Sequence, residues 1–155
     1  MIVVADTSPL NYLILIEQIH ILETLYQQVI IPPAVQAELL SEEAPTRVRT
    51  WISDPPVWIE VRSPVPTYRD SILLGPGESE AIALAEQIGA HRIMMDESLG
   101  RIEAQSRHLE VIGTLGVLRE AHQAGLLNLA HAIERLKTTS FRISPKVLQA
   151  ILDSV

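Results

Sequence analysis

Short apolar runs alternate with longer amphipathic segments along this chain of 155 residues. Four runs predict buried strands, at residues 2–5, 29–31, 92–95 and 111–112, and residues 57–61 predict a further extended segment. Parallel strands need a crossover connection, which is usually a helix, so this alternation predicts an α/β fold. We expect a central, mostly parallel sheet that is covered by helices on both faces, in a single domain over residues 1–155.

Helical periodicity, proline positions and glycine stops predict nine helices between these strands. Pro9 suits the first turn of the first helix, with Ser8 or Thr7 as its cap, and Gly89 ends the strongest helix. A loop is predicted over residues 63–77, which are rich in proline and glycine. The predicted helices are residues 9–19, 21–27, 33–40, 47–52, 78–88, 99–107, 115–124, 129–137 and 145–152.

Composition narrows the possible classes of protein. The chain is 47% hydrophobic with a mean hydropathy of +0.21, which is enough for one compact core. No apolar stretch reaches the roughly 18 residues of a membrane span, and the opening run lacks the basic flank of a secretory signal, so we expect a cytoplasmic protein. The absence of cysteine excludes disulfides and thiolate zinc sites, and the five histidines lack zinc-motif spacing.

The charge distribution is uneven. A formal net charge of −7 argues against a broad, nonspecific clamp on nucleic acid. All twelve Lys and Arg residues lie beyond Thr46, so basic side chains can still form one rim. The candidates are Arg47 and Arg49 on one predicted helix and Arg101 and Arg107 on another, and an ordinary solvated face remains the simpler explanation.

Carboxylates follow two of the predicted parallel strands. Asp6 comes directly after residues 2–5, and the pair Asp96 and Glu97 comes after the strand that begins at Arg92. The carboxyl ends of parallel strands share one edge of a sheet, so we expect these side chains to converge despite about ninety intervening residues. A helix-capping or turn-forming role is the alternative for each of them.

Three glutamates on predicted helices complete the candidate set. Glu78 and Glu80 occupy the first turn of the helix after Gly77, where the helix dipole alone also favours acidic residues. Glu38 lies on the helix that Pro33 opens, and exposure on the surface would explain it equally well.

Clustered carboxylates suggest a particular chemistry. Side chains of like charge repel and raise each other's pKa values, and a bound cation relieves this repulsion. With oxygen ligands only, Mg²⁺ or Mn²⁺ is favoured over zinc, and such ions support hydrolysis of phosphodiesters by water. In this interpretation Asp6, Glu38, Glu80 and one of Asp96 and Glu97 hold the metal, directly or through water.

Five blocks of the sequence, taken in order, resemble those of PIN-domain proteins, and in particular a prokaryotic PIN-like branch described as predicted nucleic-acid-binding proteins. Each block alone is weakly specific, but the ordered set spans nearly the whole chain. The blocks are residues 6–10, residues 31–35 leading to Glu38 and Leu39, residues 77–85, residues 95–97 with Gly100 and Arg101, and residues 111–116.

The resemblance implies a three-layer α/β/α domain with an acidic site that binds Mg²⁺ or Mn²⁺ and cleaves RNA. Many such relatives are VapC-type toxins, which are homodimers silenced by a small antitoxin protein. Carried over by position, the first acidic residue is Asp6 and the second is Glu38. The third falls on Glu80, with Glu78 as its rival, and a glutamate there departs from the usual aspartate.

The fourth acidic residue of the family pattern falls on Asp96 or on Glu97. We take Asp96 as the catalytic candidate and keep both as metal ligands. Ser8 and Asn11 are predicted to support the first carboxylate or a ligand water, or to act as a cap and a buried polar contact.

Two other functions are compatible with parts of this pattern. An aspartate after the first strand also suits phosphotransfer through an aspartyl phosphate, as in haloacid-dehalogenase-like phosphatases. Those enzymes generally need a second aspartate two residues later, where this chain has Ser8. The other alternative is a catalytically weak PIN-like module that binds nucleic acid or acts as a scaffold.

Overall fold

The computed structural model of the chain describes residues 1–65 and 74–155. Within these residues the strands form one sheet in which every pairing is parallel, in the order β3-β2-β1-β4-β5. This arrangement confirms the predicted α/β class with a central parallel sheet. The strands are β1 (Ile2–Ala5), β2 (Gln28–Ile31), β3 (Ile59–Val61), β4 (Arg92–Met94) and β5 (Val111–Ile112).

Helices connect the strands, and most of them lie within one or two residues of their predicted bounds. The predicted loop over residues 63–77 is coil at Ser63–Val65, lies outside the described residues over 66–73, and is helical from Pro76. The helices of the described residues are α1 (Thr7–Leu15), α2 (Ile21–Tyr26), α3 (Pro33–Leu40), α4 (Thr46–Ser53), α5 (Pro76–Ile88), α6 (Ser98–Ser106), α7 (Thr114–Gln123), α8 (Leu129–Leu136) and α9 (Pro145–Asp153).

The first helix differs most from its prediction. It ends at Leu15 rather than Ile19, because Glu17 has a φ of 61°, which an α-helix does not continue. The helix begins at Thr7, so its N-cap is Asp6 and not Ser8 or Thr7. The Asp6 side chain makes no capping hydrogen bond, so its carboxylate remains available to the sheet edge beyond the helix.

Alternate residues of the strands face two separate cores. Val3 and Ala5 of β1 pack in the larger core against helices that include α1 and α7, whereas Val4 packs in the smaller core against α5. This alternation follows from the two-residue period of a strand and yields helical layers on both faces. The apolar residues Leu10, Leu13 and Ile14 of α1 are buried in the larger core.

The strand order reverses beside β1. Its neighbours are β2 on one side and β4 on the other, so the chain crosses over β1 when it passes from β3 to β4. The backbone N–H of Asp6 donates to the carbonyl oxygen of Met94 at 2.9 Å, which holds the two strand ends together. A crevice at such a reversal point, beyond the carboxyl ends of the strands, is where open α/β sheets bind ligands. No helix of the described residues is long and apolar enough to cross a membrane.

Candidate metal centre

A cavity of about 270 Å³ lies at the reversal point of the sheet. Four carboxylates line it, and each comes from a different segment: Asp6 after β1, Glu38 on α3, Glu78 at the start of α5, and Glu97 at the N-cap of α6. The fold therefore converts four distant positions into one anionic site.

Asp6 is the most deeply placed of these side chains, with only 5% of its surface exposed. Burial raises its pKa from 3.8 to about 7, and repulsion by Glu78, Glu38 and Asp96 acts in the same direction. A hydrogen bond from the Thr7 backbone N–H opposes these effects but does not outweigh them. Without a cation, this carboxyl group therefore keeps its proton to a higher pH than an exposed aspartate does.

Glu38 is held from two sides. The Thr7 hydroxyl donates to its Oε2, and the Gly77 backbone N–H donates to its Oε1 at 3.2 Å. A Cβ atom on residue 77 would lie 2.7 Å from both carboxylate oxygens, so glycine lets Glu38 keep this position, and any larger residue would displace its carboxylate. The start of α5 thus orients a carboxylate that belongs to α3.

Glu78 has one engaged and one unengaged oxygen. Its Oε1 accepts a long hydrogen bond of 3.5 Å from the Gly75 N–H, while its Oε2 is buried without a hydrogen-bond partner in the described part of the chain. Burial raises the pKa of Glu78, repulsion by Glu97 and Glu38 raises it further, and the Gly75 N–H opposes the shift. An unsatisfied buried carboxylate oxygen is costly, and a cation ligand position would satisfy it.

Asp96 and Glu97 are adjacent in sequence but occupy different environments. Both oxygens of Asp96 are engaged: Oδ1 accepts from the Thr114 backbone N–H at 2.7 Å, and Oδ2 accepts from the hydroxyls of Thr114 at 2.7 Å and Ser8 at 3.1 Å. Asp96 therefore ties the start of α7 to the start of α1. Glu97 is exposed and lines the cavity.

Glu80 lies apart from the lining of this cavity. Its Oε1 accepts a hydrogen bond of 3.1 Å from the backbone N–H of Ala34, in the first turn of α3. The N-cap of that helix is Pro32, which supplies no side-chain cap, so Glu80 satisfies one of the N–H groups at the start of the helix that carries Glu38. The role of Glu80 as a metal ligand remains a prediction.

Of the six carboxylates predicted from sequence, the structure gathers five. Asp6, Glu38, Glu78 and Glu97 line the cavity, and Asp96 lies close enough to raise the pKa of Asp6. The Ser8 hydroxyl donates to Asp96, and Ser8 and Asn11 both line the cavity, so their support of Asp6 or of a ligand water stays a prediction.

Three further residues support the carboxylates and were not predicted from the sequence. They are Thr7 and Gly77, which donate to Glu38, and Thr114, which donates to Asp96. Thr7 and Gly77 each stand directly beside a predicted acidic residue, and that proximity is the available signal for them. Thr114 lies eighteen positions after Asp96, where spacing gives no signal.

The donor set fits a hard divalent cation. All the ligand candidates are carboxylates, one of their oxygens is buried without a partner, and the pKa of the central aspartate is raised. Over residues 1–65 and 74–155, however, no three Asp, Glu or His side chains already lie close enough together to hold a metal ion. A cation could be held here only if these carboxylates came closer together, and the glutamate side chains have several rotatable bonds.

Comparison with known proteins places this geometry in context. A family model described as a PIN domain matches residues 2–155. The fold is similar to that of a PilT N-terminus domain protein from the hyperthermophilic archaeon Sulfolobus solfataricus P2, with a TM-score of 0.55 and 16% sequence identity. That alignment covers 93% of this chain and 100% of the archaeal one. No curated protein matches the chain at a significant level.

Proposed function

The chain belongs to the PIN-domain family, and on that premise we propose that it is a metal-dependent endoribonuclease that hydrolyses phosphodiester bonds of RNA. PIN domains are typically nucleases and usually use divalent metal ions. The observation that carries the proposal is the cavity at the sheet reversal, where four carboxylates from four segments meet: the buried Asp6 and, with it, Glu38, Glu78 and Glu97.

The residues proposed to hold Mg²⁺ or Mn²⁺ are Asp6, Glu38, Glu78 and Glu97. When bound, such a cation supplies Lewis acidity that stabilises charge on a phosphodiester and lowers the pKa of water. It would also remove an electrostatic obstacle, because carboxylates around a small cavity repel the phosphates of RNA. Both Mg²⁺ and Mn²⁺ suit carboxylate ligands, so the proposal includes either ion.

The supporting residues orient the carboxylates. Thr7 and Gly77 fix the carboxylate of Glu38. Ser8 and Thr114 fix Asp96, whose charge raises the pKa of Asp6. The hydroxyls of Thr7 and Ser8 donate to carboxylates, so in the proposed reaction they orient the site and water is the nucleophile. In this proposal Asp96 is a positioning residue, because it holds the start of α1 against the start of α7.

The resemblance to the family of VapC-type toxins also suggests a biological role for the proposed nuclease. It supports a cytoplasmic toxin that acts as a homodimer and is silenced by a small antitoxin protein. The homodimer is supported by family membership alone. The apolar residues of α1 do not support it, because they are buried within the chain's own core. Light scattering during size-exclusion chromatography of the purified protein tests the dimer.

One observation favours a second function, a PIN-like module that binds RNA without cleaving it. In the described ranges no three acidic or histidine side chains are already arranged to hold a metal ion. A module of this kind would bind RNA and would take up no manganese in titration calorimetry, whereas the proposed nuclease takes up manganese in the absence of RNA.

The decisive experiment assays purified protein on labelled RNA with Mg²⁺, with Mn²⁺ and with EDTA. We expect metal-dependent cleavage that Asp6→Asn reduces by about a thousandfold, because the buried central ligand loses its charge. Asp54→Asn is the matched control, since Asp54 is exposed at the end of α4 and does not line the carboxylate cavity. Equal cleavage by Asp6→Asn and wild type would refute the nuclease proposal.

A further inference from the structure

A second cleft, of about 890 Å³, adjoins the carboxylate cavity. Its walls come from α6, the start of α7, residues 140–144 and α9. Ser8, Tyr12 and Glu97 line both spaces, so the cleft is continuous with the proposed site of hydrolysis. Its volume lies within the range of cavities that hold small organic ligands, roughly 300–1,000 Å³.

Two guanidinium groups line this cleft, those of Arg101 and Arg142. Neither forms an ion pair with a carboxylate of the described residues, although the chain carries a net charge of −7. By contrast, Arg47 pairs with Glu17, and Arg107 pairs with Glu103 and Glu86. The cations that face the cleft are thus available to an anionic ligand.

The Arg101 guanidinium lies on the side of the cleft nearest the carboxylates. A Cβ atom on Gly113 would lie 3.0 Å from Arg101 Nη1 and 3.0 Å from Asp96 Oδ1, so glycine leaves the space that both side chains use. Arg101 therefore lies close to Asp96, which also lines the cleft. Arg142 extends the basic lining into the segment that leads to α9.

The cleft also has an aromatic and apolar wall. The rings of Tyr12 and Phe141 pack edge to face, with centroids 5.0 Å apart and planes at 81°. The Tyr12 hydroxyl lies 2.9 Å from the hydroxyl of Ser140, which fixes the segment that carries Phe141 and Arg142. Guanidinium groups beside aromatic rings are the combination that proteins use to bind single-stranded nucleic acid.

We propose that this cleft binds the single-stranded RNA segment next to the scissile phosphodiester, with Arg101 and Arg142 contacting backbone phosphates and the Tyr12–Phe141 wall contacting a base. The assignment rests on the proposed nuclease function, which places the scissile bond in the adjoining cavity. A single strand is required because Asp6 is almost fully buried, and a phosphate within a rigid duplex cannot enter so small a cavity.

The test measures fluorescence anisotropy of a labelled oligouridylate with full-length protein in EDTA, so that binding is independent of cleavage. At about 0.1 M salt, Arg101→Ala and Arg142→Ala should each weaken binding about fivefold, and each should reduce the slope of log affinity against log salt by about 0.7. Arg142→Lys should recover most of the affinity because it restores the charge. Thermal melting monitored by circular dichroism verifies that each variant is folded.

Lys146→Ala is the matched control. Lys146 lies on α9, four residues from Arg142, and also forms no ion pair in the described part of the chain, but it does not line the cleft. We expect the Lys146→Ala variant to bind the oligonucleotide as wild type does. Four results would each overturn the proposal. Two concern the variants: Arg142→Ala and Lys146→Ala weaken binding equally, or neither arginine variant has an effect. Two concern wild type: it does not bind the oligonucleotide, or it binds a duplex of the same sequence equally well.

The two proposals fail separately. If wild type binds the oligonucleotide with the expected variant pattern but shows no metal-dependent cleavage, the nuclease function fails and the cleft remains a binding site for single strands. If wild type cleaves RNA while the arginine variants bind as wild type does, the cleft assignment fails and the nuclease function stands.

Discussion

The two ends of β4 differ in how the buried charges near them are compensated. At its amino end, Arg92 contacts Glu120, lies 3.2 Å from Glu110, and shares Glu120 with the hydroxyl of Tyr26. Burial alone lowers the pKa of Arg92, but its hydrogen bonds to Glu120 and Glu110 raise the pKa overall. Burial and the nearby Glu120 likewise raise the pKa of Tyr26 to about 12.

Beyond the carboxyl end of the same strand several carboxylates meet, and no arginine or lysine of residues 1–65 and 74–155 forms an ion pair with them. Asp6 and Glu78 there have raised pKa values, chiefly because they are buried. The chain therefore pairs its buried charges where they only support the fold. Among the residues that the structure describes, the anionic charge at the sheet edge has no such partner, and this is where the proposed cation would bind.

The largest expected difference between the two ends of β4 is in how the free energy of unfolding depends on pH. The pKa of Asp6 is raised from 3.8 to about 7 in the fold, so the folded state binds this proton more tightly than the unfolded state does. The resulting stabilisation is complete below pH 3.8 and is lost as the pH rises through 7. At about 1.4 kcal/mol per pKa unit, the loss reaches up to about 4 kcal/mol.

Urea unfolding of the metal-free protein at a series of pH values measures this loss. Asp6→Asn removes the titrating group, so the variant should gain stability relative to wild type as the pH rises from 4 to 8. Addition of Mn²⁺ should stabilise wild type more than the variant, because only wild type keeps the central ligand. If the two proteins lose stability in parallel, the charge of Asp6 is not destabilising and the contrast between the strand ends disappears.

The second prediction compares the effects of changing Glu78 and Glu80 on the rate of RNA cleavage. Glu78→Gln should reduce metal-dependent cleavage about a hundredfold, because it removes charge from the cavity. Glu80→Gln should stay within a few fold of wild type, because a glutamine oxygen can still accept the N–H of Ala34. The measurement is the initial rate of RNA cleavage at saturating manganese. The reverse result would show that Glu80 is the ligand, as predicted from the sequence.

The smallest effect concerns the paired end. Glu120→Gln should lower the free energy of unfolding by about 1.5 kcal/mol, because it weakens charged hydrogen bonds to the partly buried Arg92. Cleavage per folded molecule should not change. Glu134→Gln is the control: its ion pair with Lys137 is exposed, so removing it should cost less than about 0.5 kcal/mol. A cleavage defect in Glu120→Gln at full folding would show that the two ends are coupled.

The sheet was predictable from the sequence because its central strands are uninterrupted apolar runs between turn signals. The end of α1 was not, because Ile16 and Ile19 continue a helical pattern of apolar residues while Glu17 adopts a left-handed conformation. Those apolar side chains reach the core from a turn rather than from a helix. Periodicity reports which residues are buried, and it does not report the backbone conformation that buries them.

The edge that carries the candidate site was also predictable, because strand ends of a parallel sheet share an edge. The choice between Glu78 and Glu80 was not. Residues two apart on a helix point about 200° away from each other, so the choice depends on the rotation of α5 against the sheet. The engagement of Asp96 by Thr114 depends in the same way on where α7 begins relative to β4.

The central position of β1 has a consequence for biosynthesis. One edge of this strand pairs with β4, whose residues lie about ninety positions later, so the edge stays open while the intervening chain is synthesised. Open strand edges are templates for aggregation, and pairings distant in sequence form slowly. The carboxylates of the site can therefore come together only after β4 has been synthesised. A nascent chain that is halted before that point has an incomplete site and an unpaired edge on β1.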